Sequence, residues 1–157
     1  MFVYHAFCYV RILRYLPKAE NRKTIGMIIT LSQEEFNSVL ANNPNNDITT
    51  YTTGLIIEYS IAIQKSGNTL TIVGKTNCVS EVVKCGFKEV KIQQRTSNSA
   101  SWSDYKTYTD LYADSSVYTL TKSLTVSSGY QYRVVCTHYA KKSLLSTQKI
   151  DNTSNIV

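Results

Sequence analysis

The sequence predicts an all-β fold: a single β-sandwich of six or seven short strands over residues 49–157, with an N-terminal leader and a short helix within residues 1–48. Three observations carry that expectation. From Leu55 onward apolar and polar residues alternate with period two, as half-buried strands require. Clusters of Gly, Asn, Ser and Asp interrupt the alternation roughly every 8–15 residues, the spacing of antiparallel strands and not of βαβ units. At Asn42-Asn43-Pro44-Asn45-Asn46-Asp47 the composition shifts toward Thr, Ser, Tyr, Val and Ile, which suit a pleated surface.

The first 31 residues divide into two apolar stretches. Met1 to Leu16 is apolar and aromatic but carries Arg11 and Arg14, and Lys18, Arg22 and Lys23 then precede the apolar run from Thr24 to Leu31. A basic segment before a short apolar one is the layout of a secretory signal, although no small-x-small cleavage site follows it. Export through this segment and a start placed too far upstream are both open. Ser32 to Leu40 predicts a helix. Ser32 is its N-cap, Glu35 closes a capping box, and Phe36, Val39 and Leu40 form the apolar stripe. The Asn/Pro cluster ends the helical region, so residues 1–48 are expected to be a leader or a poorly ordered segment loosely attached to the sandwich.

In the first strand Leu55, Ile57, Tyr59, Ile61 and Ile63 share one face, and Lys65-Ser66-Gly67-Asn68 turns the chain. Leu70, Ile72, Gly74, Thr76 and Cys78 face inward in the second. Val90 and Ile92 mark a third strand, and Trp102 to Tyr112 a fourth. The fifth puts Tyr118, Leu120, Leu124 and Val126 on one face, with Lys122 as its one break. Ser127-Ser128-Gly129 leads into Tyr130 to Tyr139, and Lys141-Lys142-Ser143 turns toward a last strand at Leu144 and Leu145.

Length and composition exclude several classes. A chain of 157 residues with 43% hydrophobic side chains forms one domain with an adequate core. No run of 18 apolar residues exists to cross a membrane as a helix, and two Pro with six Gly exclude collagen-like sequence. The net charge of +6 is spread out: beyond residue 50 no basic run exceeds Lys141-Lys142. Specific nucleic-acid binding would gather that charge on one face, so a mild attraction to anionic polymers is expected instead.

Val126-Ser127-Ser128-Gly129-Tyr130-Gln131-Tyr132-Arg133-Val134 resembles the segment entering strand F of fibronectin type III domains. The resemblance implies that Tyr132 is a corner tyrosine whose hydroxyl returns to backbone a few residues upstream, with Val126 as the apolar residue before the turn. In immunoglobulin domains the Tyr stands two residues before a Cys; here Val134 holds that place before Cys136. More broadly, residues 54–157 are similar to small exported β-sandwich proteins of Gram-positive anaerobic bacteria. That likeness rests on Ser101-Trp102-Ser103-Asp104-Tyr105 and on Gly129 to Ala140, and it implies location and fold without an assigned activity.

Chemistry-bearing residues are few. Four cysteines occur, Cys8, Cys78, Cys85 and Cys136. A Cys78–Cys136 disulfide would close a loop of about 58 residues and contribute on the order of 4 kcal/mol in the loop-entropy view; a Cys78–Cys85 bridge competes with it, and buried free thiols are the third option. A Cys/Cys/His metal site with His138 lacks ligand spacing, and Cys136 beside His138 on one strand face points in parallel with it and away from nucleophile–base geometry. No catalytic motif is present, and Asp104, Asp110 and Asp114 fit no calcium loop. No cofactor is therefore expected. The best candidate binding surface is Trp102, Tyr105, Tyr108 and Tyr112, of which Trp102, Tyr108 and Tyr112 share parity on a straight strand. Stabilising cross-strand aromatic pairs are the alternative use for them. These readings predict a non-catalytic binding module, exported to the cell envelope or beyond it, that contacts cell-wall glycan or another protein. A small basic antimicrobial or toxin-like protein is the alternative, and an uncharacterised hydrolase the second.

Overall fold

The structure, a computed structural model, describes residues 32–41, 49–50 and 54–157. One helix, α1 (Gln33–Ala41), precedes the strands β1 (Thr49–Thr50), β2 (Ile56–Ser66), β3 (Thr69–Cys78), β4 (Lys84–Arg95), β5 (Ser103–Ala113), β6 (Val117–Thr125), β7 (Gln131–Ser143) and β8 (Ser146–Thr153). They form two antiparallel sheets in the orders β1-β2-β3-β6 and β5-β4-β7-β8. The all-β sandwich is thus observed, with seven long strands and the two-residue β1 as an eighth. The leader and the Asn42–Asp47 boundary lie outside the described residues.

The helix forms for local reasons. The Ser32 hydroxyl accepts the Glu35 N–H at 3.2 Å and the Glu35 carboxylate accepts the Ser32 N–H at 2.8 Å, so two otherwise orphaned donors are satisfied reciprocally. Its apolar stripe is packed on the sandwich. Phe36 and Val39 are buried against Ala62 and Val73 on the outer face of the first sheet.

Between the sheets, Ile61, Ile63, Leu70 and Ile72 meet Phe87, Val90, Ile92 and Val134 in the main core. Gly74 on β3 leaves the room this needs: a Cβ there would lie 2.9 Å from both the Phe87 ring and the Ile61 side chain. Two strands depart from simple alternation. β2 is irregular between Ile56 and Glu58, so that Ile56, and not Leu55 or Ile57, is fully buried. In β4, Cys85 and Phe87 face inward, Lys88 is an extra residue against β7, and beyond it Val90 and Ile92 face inward. β5 matches this irregularity at Asp110, whose φ of 55° is left-handed, and Lys88 pairs with the Asp110 carboxylate.

The last strand also begins later than its sequence suggests. Ser143 pairs with Ser146, which makes Leu144 and Leu145 the hairpin turn itself, 87% and 100% exposed.

Side chains close both open seams of the sandwich. On one side, Gln148 accepts the Ile56 N–H at 2.9 Å. Near the other end of β2, Asn155 accepts the Ile63 N–H at 2.9 Å and donates to the Ile63 carbonyl at 2.8 Å, occupying the ladder as a strand residue would. On the other side, the Tyr105 hydroxyl donates to the Thr125 carbonyl at 3.1 Å, and Tyr108 packs on the core edge. Lys106 and Lys122 sit opposite Ile92 and Ile72, and their ammonium groups lie 5.4 and 5.3 Å from the Tyr108 ring. The break that Lys122 makes in β6 is therefore a charged edge residue spanning aromatic surface.

Tyr132 is fully buried, and its hydroxyl donates to the Ser127 carbonyl five residues upstream at 3.1 Å. Val126 is buried beside it, and the Val157 backbone bonds Tyr132 in both directions at 2.8 and 3.1 Å. Replacing Tyr132 with Phe removes the donor and strands the Ser127 carbonyl. Urea melts should show a loss of about 1–3 kcal/mol. Tyr130→Phe and Tyr139→Phe should each cost under about 0.5 kcal/mol. Three equal small losses would mean that the corner bond contributes nothing.

Candidate functional site

The four aromatic residues of the β5 region do not share one face. Gln93 pairs with Asp104 and Ile92 with Lys106, so Tyr105 is a bulge residue, and the break at Asp110 shifts the phase a second time. Tyr108, opposite Val90, turns into the core edge. Tyr105 covers Tyr132 edge-on, ring centroids 5.9 Å apart, while its hydroxyl is used at the seam. Both therefore serve the sandwich. Tyr112 lies opposite Gly86 on the outer face, against Tyr139 at 5.3 Å. Gly86 is needed there: its φ is 153°, and a Cβ would come within 2.6 Å of the Tyr112 Cα. Trp102 is also on the outer face, but ten residues away, which is roughly 30 Å at strand rise. The expected continuous patch is two separate aromatic positions.

Trp102 is the centre of the richer one. On β7 the neighbours Tyr132 and Val134 point inward, so Arg133 points out; its guanidinium lies 4.4 Å from the indole centroid and that of Arg95 at 4.3 Å. Each nitrogen of Arg95 has a partner: it donates from Nε to Gln131 at 2.9 Å and from its two Nη groups to Asn98 at 3.1 and 2.9 Å. Arg133 donates from Nε to Gln93 at 2.9 Å, and among the described residues its Nη groups have no hydrogen-bond partner. Gln93 donates in turn to Asp104 at 2.8 Å. That bond and the Lys91 ammonium hold the Asp104 carboxyl below the ordinary range, while Asp104 and Glu89 raise Lys91. A guanidinium fixed by stacking and by its Nε presents two preoriented donors, the fork that a carboxylate or phosphate fits.

Strand parity alone places Arg133 outward once Tyr132 is inward. The approach of Arg95 and Trp102 could not be read, because a seven-residue loop and the bulge at Tyr105 set it.

The Cys/His group behaves otherwise. Cys136 and His138, read as pointing in parallel, do meet, with Sγ 3.6 Å from Nε2. Thr76 donates its one proton to the Gly86 carbonyl at 3.1 Å, so His138 Nδ1–H donates to Thr76 Oγ1 at 2.7 Å and Nε2 accepts from the thiol. His138 is fully buried between Phe87 and Tyr59, and burial holds its pKa down at about 3; burial likewise pushes the Cys136 thiol up. A neutral imidazole and an un-ionised thiol without solvent access have no nucleophilic role. Cys78 is not joined to Cys136; its Sγ lies 2.8 Å from that of Cys85 in a neighbouring cluster, and none of Cys78, Cys85 and Cys136 is bridged in this structure. Among the described residues no three His, Cys, Asp or Glu side chains converge as metal donors.

A buried neutral histidine ties stability to pH. The unfolded ring takes up a proton near pH 6.5 and the folded ring only near pH 3, so stability is complete above the first value and falls as pH drops toward the second. Urea melts should lose about 2 kcal/mol between pH 7 and pH 5, a window above the range in which carboxylates titrate. His138→Gln should flatten that slope. An unchanged slope in the variant would show that another group carries it.

No protein-family model matches the chain, and no curated protein is significantly similar to it.

Proposed function

We propose that the chain is a non-catalytic binding module of fibronectin type III-like build, exported to the cell envelope or beyond, whose contact surface is the outer face of the second sheet around Arg133. The build is supported by the corner bond of Tyr132 and by the strand order. In immunoglobulin constant domains the fourth strand of the sandwich lies beside the fifth; here that strand, β5, lies on the opposite sheet beside β4. Export is supported by the basic-then-apolar leader and the resemblance to exported sandwiches. The single observation that carries the contact surface is the Arg133 guanidinium: Trp102 and Gln93 hold it, and its Nη groups have no hydrogen-bond partner among the described residues. The surface is fixed by packing, so little side-chain entropy remains to be lost on binding. Its chemistry suits a polymer carrying carboxylate or phosphate groups, and an anionic cell-wall glycan is the partner chosen.

Co-sedimentation with polygalacturonate and with purified Gram-positive cell wall tests this. Arg133→Ala should weaken binding about 10- to 100-fold, the worth of a charge-assisted hydrogen bond, and Trp102→Ala should weaken it in the same direction. Lys65→Ala, the same charge change on the other sheet, should leave it unchanged. Equal weakening by Arg133→Ala and Lys65→Ala, with Trp102→Ala binding as the wild type does, would reduce the interaction to net charge. Capture of an acidic protein, with no retention on either glycan, would move the partner to the protein class.

The toxin-like reading has its own observation. Leu144 and Leu145 stand fully out at a hairpin tip behind Lys141 and Lys142, an arrangement that suits insertion into an anionic lipid interface. Burying two leucines would contribute about 3–5 kcal/mol. Phosphatidylglycerol vesicles loaded with dye should leak under the wild type and not under a Leu144→Ser, Leu145→Ser double variant; vesicles that stay sealed under both sink this reading.

A further inference from the structure

We infer that Cys78 and Cys85 form a disulfide that fastens the first sheet to the second across the β3–β4 connection. Cys78 closes β3 and Cys85 sits at the start of β4, so the two strands they belong to lie on facing sheets. Their Sγ atoms stand 2.8 Å apart, both side chains are buried (4% and 0% exposed), and Cys85 Sγ is also 3.2 Å from the Thr76 carbonyl. Bridging therefore needs only a small further approach of two side chains already aimed at each other.

The surrounding backbone holds that geometry. The Cys78 N–H donates to Ser116 at 2.8 Å and Val79 to Leu55 at 2.9 Å, while Val83 donates to Lys141 at 2.8 Å. The connection is thus tied to the first sheet at one end and to the second at the other. Ile56, Val82 and Ala140 pack around the pair. Cys136 belongs to the neighbouring core cluster and has its own contact with His138, which leaves Cys85 as the partner for Cys78 among the described cysteines.

The pair is also asymmetric. Contact with Cys85 draws the Cys78 thiol below its ordinary range, while the same contact and burial push Cys85 up, so Cys78 ionises first. Its thiolate attacks one sulfur of an oxidant disulfide, either a low-molecular-weight one or a dithiol oxidase, and displaces the other sulfur as a thiolate. The Cys85 sulfur then attacks Cys78 in the mixed disulfide and releases the second. Two S–H bonds become one S–S bond, two electrons pass to the oxidant, and its two thiolates take up the two protons. Val82 packs in the same cluster, so the exchange runs once Cys78 and Cys85 have met and before that packing is complete.

The full chain is refolded from urea in a glutathione buffer rich in the oxidised form, quenched with acid, and alkylated with N-ethylmaleimide in denaturant. Trypsin then separates the partners, since Lys75, Lys84 and Lys88 bound the peptides 76–84 and 85–88. The expected product joins these two peptides and is two hydrogens lighter than their sum, with Cys136 alkylated. Reduction should lower the melting midpoint by about 5–10 °C. That response should vanish in a Cys78→Ala, Cys85→Ala double variant and persist in Cys136→Ser. Joining of Cys78 or Cys85 to Cys136 or Cys8 would overturn the inference. So would alkylation of all four cysteines under oxidising conditions.

Discussion

The architecture depends on the phase break in β4. This strand lies inside its sheet, bonded to β5 on one side and β7 on the other, and it supplies Cys85, Phe87, Val90 and Ile92 to the interior. Strict alternation from Phe87 would carry Glu89, Lys91 and Gln93 inward and turn Val90 and Ile92 to water. Burying an unpaired charge costs several kcal/mol, so that register is excluded. The extra residue at Lys88 resolves the conflict, and β5 must copy it at Asp110 to stay paired. The Lys88–Asp110 ion pair there is about half exposed and contributes little, so it marks the irregularity and does not drive it. The outward residues of β5, Tyr112 among them, take their direction from this adjustment and the bulge at Tyr105.

A four-stranded sheet has two edges, and two facing sheets leave two seams. Exposed ladder groups on these edges invite pairing with other chains. This protein closes its seams with side chains in place of further strands. Asn155 satisfies both backbone groups of Ile63, Gln148 caps the start of β2, and Tyr105 holds the end of β6. Lys106 and Lys122 place charge beside the last apolar ring, so that a strand approaching there meets two ammonium groups. Half of the aromatic residues that looked like a ligand surface are employed in this closure.

What the sequence disclosed follows the range of the forces involved. The capping box at Ser32 and Glu35 is a contact between residues three apart, and it was legible in full. So were the β2–β3 turn at Gly67 and the inward set Leu70, Ile72, Thr76 and Cys78, because period two persists there unbroken. The position of Tyr132 was legible through its neighbours in the chain. The face of Tyr108 and Tyr112 was not, because a bulge is decided by register against partner strands and leaves no mark on local hydropathy. The same limit hid the meeting of Cys136 with His138, which depends on Thr76 and Gly86 from other strands orienting the ring. It also hid Leu144 and Leu145, whose apolarity reads as strand until the Ser143–Ser146 pairing assigns them to the turn.

The titratable interior groups and the charged surface groups are divided between the inside and the outer faces of the sandwich. The thiols and the imidazole lie inside, where burial keeps Cys136 un-ionised and His138 uncharged. Groups that can meet a partner lie on the outer faces, and the two faces are not equivalent. Ala62 and Val73 on the first are apolar and covered by α1. The second carries Gln93, Arg95, Gln131 and Arg133, held to one another and to Trp102 by hydrogen bonds and stacking, with Lys91 ion-paired to Glu89 and Asp104 beside them, and none of the described elements covers it. A helix docking on that face would have to desolvate Lys91, Arg95 and Arg133 without apolar surface in return, which is unfavourable. A ligand that brings its own negative charge offsets that desolvation with charge-assisted hydrogen bonds. The anionic partner proposed for this face thus draws on the same side chains that keep it free of the protein's own elements.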